Sequence, residues 1–164
     1  MAKRTSRTPA AYRNRIKETR YLQPTQESGR AFVMRRIAGE VIILNLLRFR
    51  QVADYSATPD LAPPSPISGA EAFQRYIDHA LPYLRSSGGD LIFIGQGGAF
   101  LIGPQNECWD MAMLVRQQSV EAFLSFASQR AYLAGIGHRT AALEDARLLP
   151  LIQIQTATAA TSAD

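Results

Sequence analysis

The residues able to do chemistry in this chain are few and stand mostly alone. His138 lies in Gly137-His138-Arg139-Thr140 and is one of two histidines. An imidazole titrating near neutral pH could take up and return a proton there, or could bond a backbone turn. Arg139 follows it, and with Arg48 it could orient an anionic group through paired N–H donors. Either arginine could equally pair with Glu144, Asp145 or Asp110 in a structural bridge. Asn45 sits at the centre of an apolar run, where an unbonded amide would cost about a few kcal/mol. It either ties its strand to a proline-rich loop or holds a substrate carbonyl or an ordered water. Tyr55 could close over a pocket mouth or pack locally, and Trp109 completes the candidate ligand-contacting set. The second histidine, His79, is expected at the exposed boundary of a helix.

Other chemistries find no support. The two histidines have no carboxylate or cysteine at metal-ligand spacing, so no metal site is expected. Gly95-Gln96-Gly97-Gly98 lacks the following helix and later acidic partner of a dinucleotide site. No Ser/His/Asp arrangement has the local context of a nucleophile elbow. The single cysteine, Cys108, excludes an intramolecular disulfide and agrees with a reducing compartment. No cofactor is expected.

The elements that must position these residues follow from periodicity. Side chains alternate across a strand, so Val41, Ile43, Asn45, Leu47 and Phe49 share one face and Ile42, Leu44 and Leu46 the other. Both faces are apolar, so neither belongs in water. Before this strand, a short helix is expected from about residue 26. After it, Pro59, Pro63, Pro64 and Pro66 make residues 51–67 a long loop. Ser68 and Glu71 form a capping box that opens an amphipathic helix through Phe73, Tyr76, Ile77 and Leu84, with a kink expected at Pro82. Residues 90–94 read as a strand, 95–98 as a flexible turn or bulge, and 99–102 as its continuation or partner. Another strand carries Trp109, Met111, Met113 and Val115 on one face. A second helix, capped by Ser119, runs on towards Leu133 until Gly135 and Gly137 break it. Residues 137–145 read as a polar connection with one helical turn capped by Thr140, and the last strand spans about 147–154.

The order strand, helix, hairpin, helix, strand is the split β-α-β pattern, an α+β, ferredoxin-like βαββαβ sandwich. Its two helices cover one face of the sheet. Four strands of about six residues leave the other face bare over roughly 400 Å² in projection, a size typical of interaction surfaces. The economical cover is a second copy packed sheet to sheet, giving a homodimer; an N-terminal segment folded over that face is the alternative.

At 164 residues and 46% hydrophobic content the chain fits one domain able to bury its own core. The net charge of +4 hides an asymmetry. Residues 1–36 hold ten Lys and Arg against two Glu, a balance of +8, and the remainder holds eight Arg against twelve Asp and Glu, a balance of −4. The expected organisation is a flexible basic arm over 1–25, one domain over 26–154 and a flexible tail over 155–164. The arm lacks interleaved aromatics and the body offers no basic face, which argues against a nucleic-acid partner. No apolar run approaches the roughly 20 residues that cross a bilayer, and the start lacks the apolar middle of a secretory signal. A cytoplasmic protein that does not enter membranes is expected.

With the strands placed, several phrases carry a family resemblance: Leu44 to Phe49, Gly88-Gly89, Leu101 to Pro104, Trp109-Asp110, Leu114-Val115, and Gly137 to Asp145. Over residues 38–152 the chain resembles the domain of unknown function 1330 family, within the dimeric α/β-barrel superfamily. The resemblance implies a ferredoxin-like fold whose sheets pair into a barrel. That superfamily holds cofactor-free monooxygenases, small-ring isomerases, haem-binding enzymes and noncatalytic ligand sensors, so it constrains fold more than chemistry. Two functions follow as expectations. One is a cofactor-free oxygenase or isomerase using His138 for proton transfer, with Asn45, Arg48, Tyr55, Trp109 and Arg139 binding a small molecule. The other is a noncatalytic ligand-binding or scaffolding homodimer.

Overall fold

In the computed structural model, residues 20–155 are described. Most of the expected basic arm and all of the expected tail beyond Gln155 lie outside them. Helix α1 (Gln26–Met34) precedes strand β1 (Val41–Phe49); then come α2 (Gly69–Ser86), β2 (Asp90–Ala99), β3 (Cys108–Gln117), α3 (Val120–Ala127), α4 (Arg130–Leu133), α5 (Ile136–Ala142) and β4 (Leu143–Leu151). The strands form one sheet in the order β2-β3-β1-β4, antiparallel at every pairing. This is the ferredoxin-like α+β arrangement.

The odd face of β1 is the core face. Val41, Ile43, Asn45, Leu47 and Phe49 are all buried, while Ile42, Leu44 and Leu46 are half-buried on the other side. Leu47 and Phe49 pack with Ala72 and Phe73 of α2, Met113 of β3 and Ala141 to Leu143 at the α5–β4 junction. Gly69 lets α2 start against β1, since a Cβ there would lie 2.4 Å from the Arg50 carbonyl oxygen and 2.6 Å from that of Ala142. The capping box forms as expected: Ser68 Oγ accepts from the Glu71 amide at 3.1 Å and Glu71 Oε2 accepts from the Ser68 amide at 2.8 Å.

Helix α1 lies on the same side as α2. Phe32 meets Phe123 of α3 edge to face at 5.9 Å, beside Ile37, Val41, Ile43 and Val120. The chain before it, Arg20 to Pro24, docks on the β4 edge: the Ala146 amide donates to the Tyr21 carbonyl at 2.9 Å, and the Tyr21 amide donates to Asp145 Oδ1 at 2.7 Å. The last residues of the expected arm are therefore held against the body. The opposite face stays open. There Leu44 pairs with Leu114 and Leu149, and Phe93 pairs with Leu114. Phe93 and Leu149 are 54% and 53% exposed.

Three local expectations are corrected. β2 runs unbroken through Gly95 to Gly98, with a register shift between Leu91 and Phe93, and the turn falls after Ala99. At Gly97 a Cβ would meet the Trp109 carbonyl oxygen at 2.3 Å, so this glycine serves close strand pairing. The second helix stops at Ala127, where Ser128 Oγ donates to the Leu124 carbonyl at 2.8 Å, and Leu133 belongs to the separate turn α4. The expected polar connection is mostly helix α5, uncapped by Thr140, and β4 starts at Leu143. Burial of Ala141, Ala142 and Leu143 against α2 makes that stretch part of the core. The helix expected from Ser68 forms as α2, which includes Pro82 and runs to Ser86.

Candidate functional site

Between the β4 half of the sheet and its helices lies a cleft of about 520 Å³. Asn45 of β1 lies at its base, with Ala146 and Leu148 of β4. Tyr76 of α2, Tyr132 and Leu133 of α4, and Ile136 and Arg139 of α5 form one wall, and the docked segment Tyr21 to Pro24 with Ser28 of α1 forms another. Asn45 stands between two core clusters, Leu47 and Phe49 against α2 on one side and Val41 and Ile43 beside Val120 of α3 on the other.

The polar groups of the cleft are arranged in a definite way. Asn45 Nδ2 donates to the Ile43 carbonyl of its own strand at 3.0 Å, and among the described residues its Oδ1 accepts no hydrogen bond. The amide is thus not tied to the proline-rich loop. Tyr76 and Tyr132 hydroxyls bond each other at 3.0 Å. Burial, reinforced by Tyr76, pushes the Tyr132 hydroxyl far above its ordinary pKa, so it stays a neutral donor. Arg139 Nη1 donates to the Leu22 carbonyl at 2.8 Å, which joins α5 to the docked segment.

Arg139 makes none of the expected bridges. Glu144 pairs with Arg20 at 3.4 Å. Asp145 Oδ1 takes Arg147 at 2.7 Å as well as the Tyr21 and Ala146 amides. Asp110 accepts from the Phe49 amide at 2.7 Å.

The remaining candidates lie elsewhere. His138 projects from α5 to Tyr55, whose hydroxyl is 2.8 Å from His138 Nδ1, with the rings edge to face at 5.6 Å. Neither lines the cleft. Burial, then the charges of Arg75 and His79, hold the His138 pKa below its ordinary value, favouring neutral imidazole. A third group gathers on Trp109: the guanidiniums of Arg48 and Arg147 each lie 5.0 Å from its ring centroid, and Arg48 Nε donates to the Cys108 carbonyl at 3.0 Å. So the six candidates separate into three places: Asn45 with Arg139, Tyr55 with His138, and Arg48 with Trp109. His79 is not an exposed boundary residue; its Nε2 lies 3.0 Å and 3.1 Å from the Ala131 and Tyr132 carbonyls. Burial, with Asp110 nearby, raises the Cys108 pKa and keeps it a thiol.

Tyr132, Tyr76, Tyr21 and Leu22 were not recognisable as site residues from sequence. The two tyrosines are 56 positions apart, and each fits an ordinary apolar helix face. Among the described residues no group of His, Cys, Asp and Glu is placed to hold a metal ion. No described helix is long and apolar enough to cross a membrane.

Fold and cleft together define a ferredoxin-like α+β protein with a pocket under the middle of β1. The chain belongs to the family of RPA0582 from Rhodopseudomonas palustris, a protein of unknown function. It is 33% identical to that protein over 84% of this chain and 100% of the other, with a TM-score of 0.70. The methylated RPA0582 structure gives 32% identity over 85% of this chain and 99% of the other, with a TM-score of 0.72. No family model and no curated protein matches the chain, so the resemblance to the domain of unknown function 1330 family rests on the quoted residues alone.

Proposed function

We propose that this protein is a noncatalytic, small-molecule-binding homodimer, with the cleft as its ligand site and the open sheet face as its dimer interface. The observation that carries the reading is the cleft itself. Its volume of about 520 Å³ lies within the range of metabolite sites, and an amide oxygen, a tyrosine pair and a guanidinium line it among apolar side chains. The cofactor-free oxygenase or isomerase reading is less well supported, because His138, its proton carrier, is bonded to Tyr55 and lies away from these groups.

The homodimer rests on the open face. Residues 20–37 lie on the helix side, so the described part of the N-terminal segment leaves Ile42, Leu44, Leu46, Phe93, Leu114 and Leu149 uncovered. An apolar surface of roughly 400 Å² in projection calls for a partner, and a second copy supplies the same surface by twofold symmetry. A cytoplasmic location belongs to the same proposal, supported by the single thiol.

Light scattering tests the assembly: wild type at twice the 18.1 kDa chain mass is expected, and Leu44→Asp should be monomeric. A monomeric wild type would remove the dimer. Saturation-transfer NMR against a panel of small metabolites tests the cleft. Binding should vanish when Ala127→Trp fills it and should survive His138→Ala. The reverse pattern would restore the enzyme reading.

A further inference from the structure

The chemistry of the cleft goes further than its volume and names a class of ligand. Resting on the reading of the cleft as the ligand site, we infer that its ligand is a small organic monoanion, a carboxylate on an apolar body, with the carboxylate seated on Arg139.

The first argument is the charge around that guanidinium. Arg139 lies in a wall lined by Tyr76, Tyr132, Leu133 and Ile136, and no carboxylate among the described residues pairs with it. The acids near it in sequence are committed: Glu144 to Arg20, and Asp145 to Arg147 and the Tyr21 and Ala146 amides. A guanidinium has five N–H donors, and one N–H of Nη1 donates to the Leu22 carbonyl at 2.8 Å. That bond fixes the side chain at the cleft wall without neutralising it, leaving donors for a two-oxygen acceptor.

The second argument is the count of cations. Arg147, the other basic residue of the cleft, is bonded to Asp145 at 2.7 Å. One unneutralised positive charge matches one negative charge, and a phosphate dianion would be left undercompensated.

The third argument is the neutral groups. The Tyr76–Tyr132 pair uses one hydroxyl proton internally and leaves the other as a donor. Asn45 Oδ1 accepts from no described residue, so it suits a hydroxyl or N–H on the ligand. An aromatic or short aliphatic acid bearing a hydroxyl has this complement of groups.

The test compares 4-hydroxyphenylacetate with its neutral amide, 4-hydroxyphenylacetamide, on wild-type protein by saturation-transfer NMR and calorimetry, with 2-naphthol as an uncharged apolar probe and inorganic phosphate as a plain anion. The acid should bind at least 10-fold more tightly than the amide, and phosphate should not compete with it at equal concentration. Arg139→Gln should bring the acid down to the affinity of the amide, and Arg139→Lys should restore part of the difference, with melting curves confirming that both variants fold. Equal binding of acid and amide to the wild type overturns the monoanion assignment, and this comparison needs no variant. If the amide and 2-naphthol bind in a manner abolished by Ala127→Trp while the acid shows no preference, the cleft remains a site and the anion is wrong. If none of the probes binds, the monoanion assignment and the ligand-site reading both fail.

Discussion

Removing the Asp145 carboxylate should loosen the wall of the cleft. Asp145 is 1% exposed, and its Oδ1 alone receives the Tyr21 amide at 2.7 Å, the Ala146 amide at 3.0 Å and Arg147 Nη1 at 2.7 Å. The Arg147 side chain is 41% exposed, so that ion pair is partly screened and contributes little. The two amide bonds carry most of the effect. Hydrogen bonds to a charged group contribute about 1.5–3 kcal/mol each and are not additive at one oxygen, so Asp145→Ala should cost about 3 kcal/mol. Asp145→Asn keeps an acceptor for the amides, but it turns a buried NH₂ towards the space of Oδ2, which has no partner among the described residues. A loss of about 1–2 kcal/mol follows. At a urea m-value near 2 kcal/mol/M, the alanine variant should unfold about 1.5 M earlier. Limited proteolysis should cut the variant first beside Tyr21 to Pro24, before the global transition. A loss under about 1 kcal/mol for Asp145→Ala would refute the hub role. So would a loss from Arg147→Ala as large as that from Asp145→Ala, because the ion pair and not the amides would then carry the energy.

Two further outcomes follow from single contacts. The folded protein binds a proton at His138 less readily than the unfolded chain does, because burial lowers the folded pKa. Stability from this group is therefore complete above about pH 6.5 and declines as pH falls through the folded pKa, and His138→Gln should flatten that part of a denaturation-against-pH curve; an unchanged slope would show that another group titrates. Gly69→Ala should cost about 2 kcal/mol or more by forcing a Cβ against the Arg50 and Ala142 carbonyls, read as a melting temperature lower by about 4–8 °C, and a neutral result would mean that α2 can shift away from β1.

The alternation in Val41 to Phe49, the capping box at Ser68 and Glu71, and the helical spacing of Phe73, Tyr76, Ile77 and Leu84 settled the layers by themselves, because each is a local signal whose physics spans a few residues. The βαββαβ order followed from them. The resemblance singled out Asn45 and the Gly137-His138-Arg139-Thr140 phrase, and of these Asn45 and Arg139 both line the cleft. It could not show that neighbours in sequence face apart. His138 and Arg139 are consecutive, yet about 100° of helical turn separates consecutive residues, and α5 sends one to Tyr55 and the other to the cleft. Glycines misled for a related reason. Gly97 in β2, and Gly137 in α5, where a Cβ would lie 2.6 Å from the Thr58 hydroxyl oxygen, look like breaks but mark close approach of elements distant in sequence. The Tyr76–Tyr132 bond, the Arg139–Leu22 tether and the seat of Tyr21 on Asp145 join residues 56, 117 and 124 positions apart. Periodicity assigns each residue a face of its own element. Which faces meet, and what cavity they leave between them, is decided only when the elements pack.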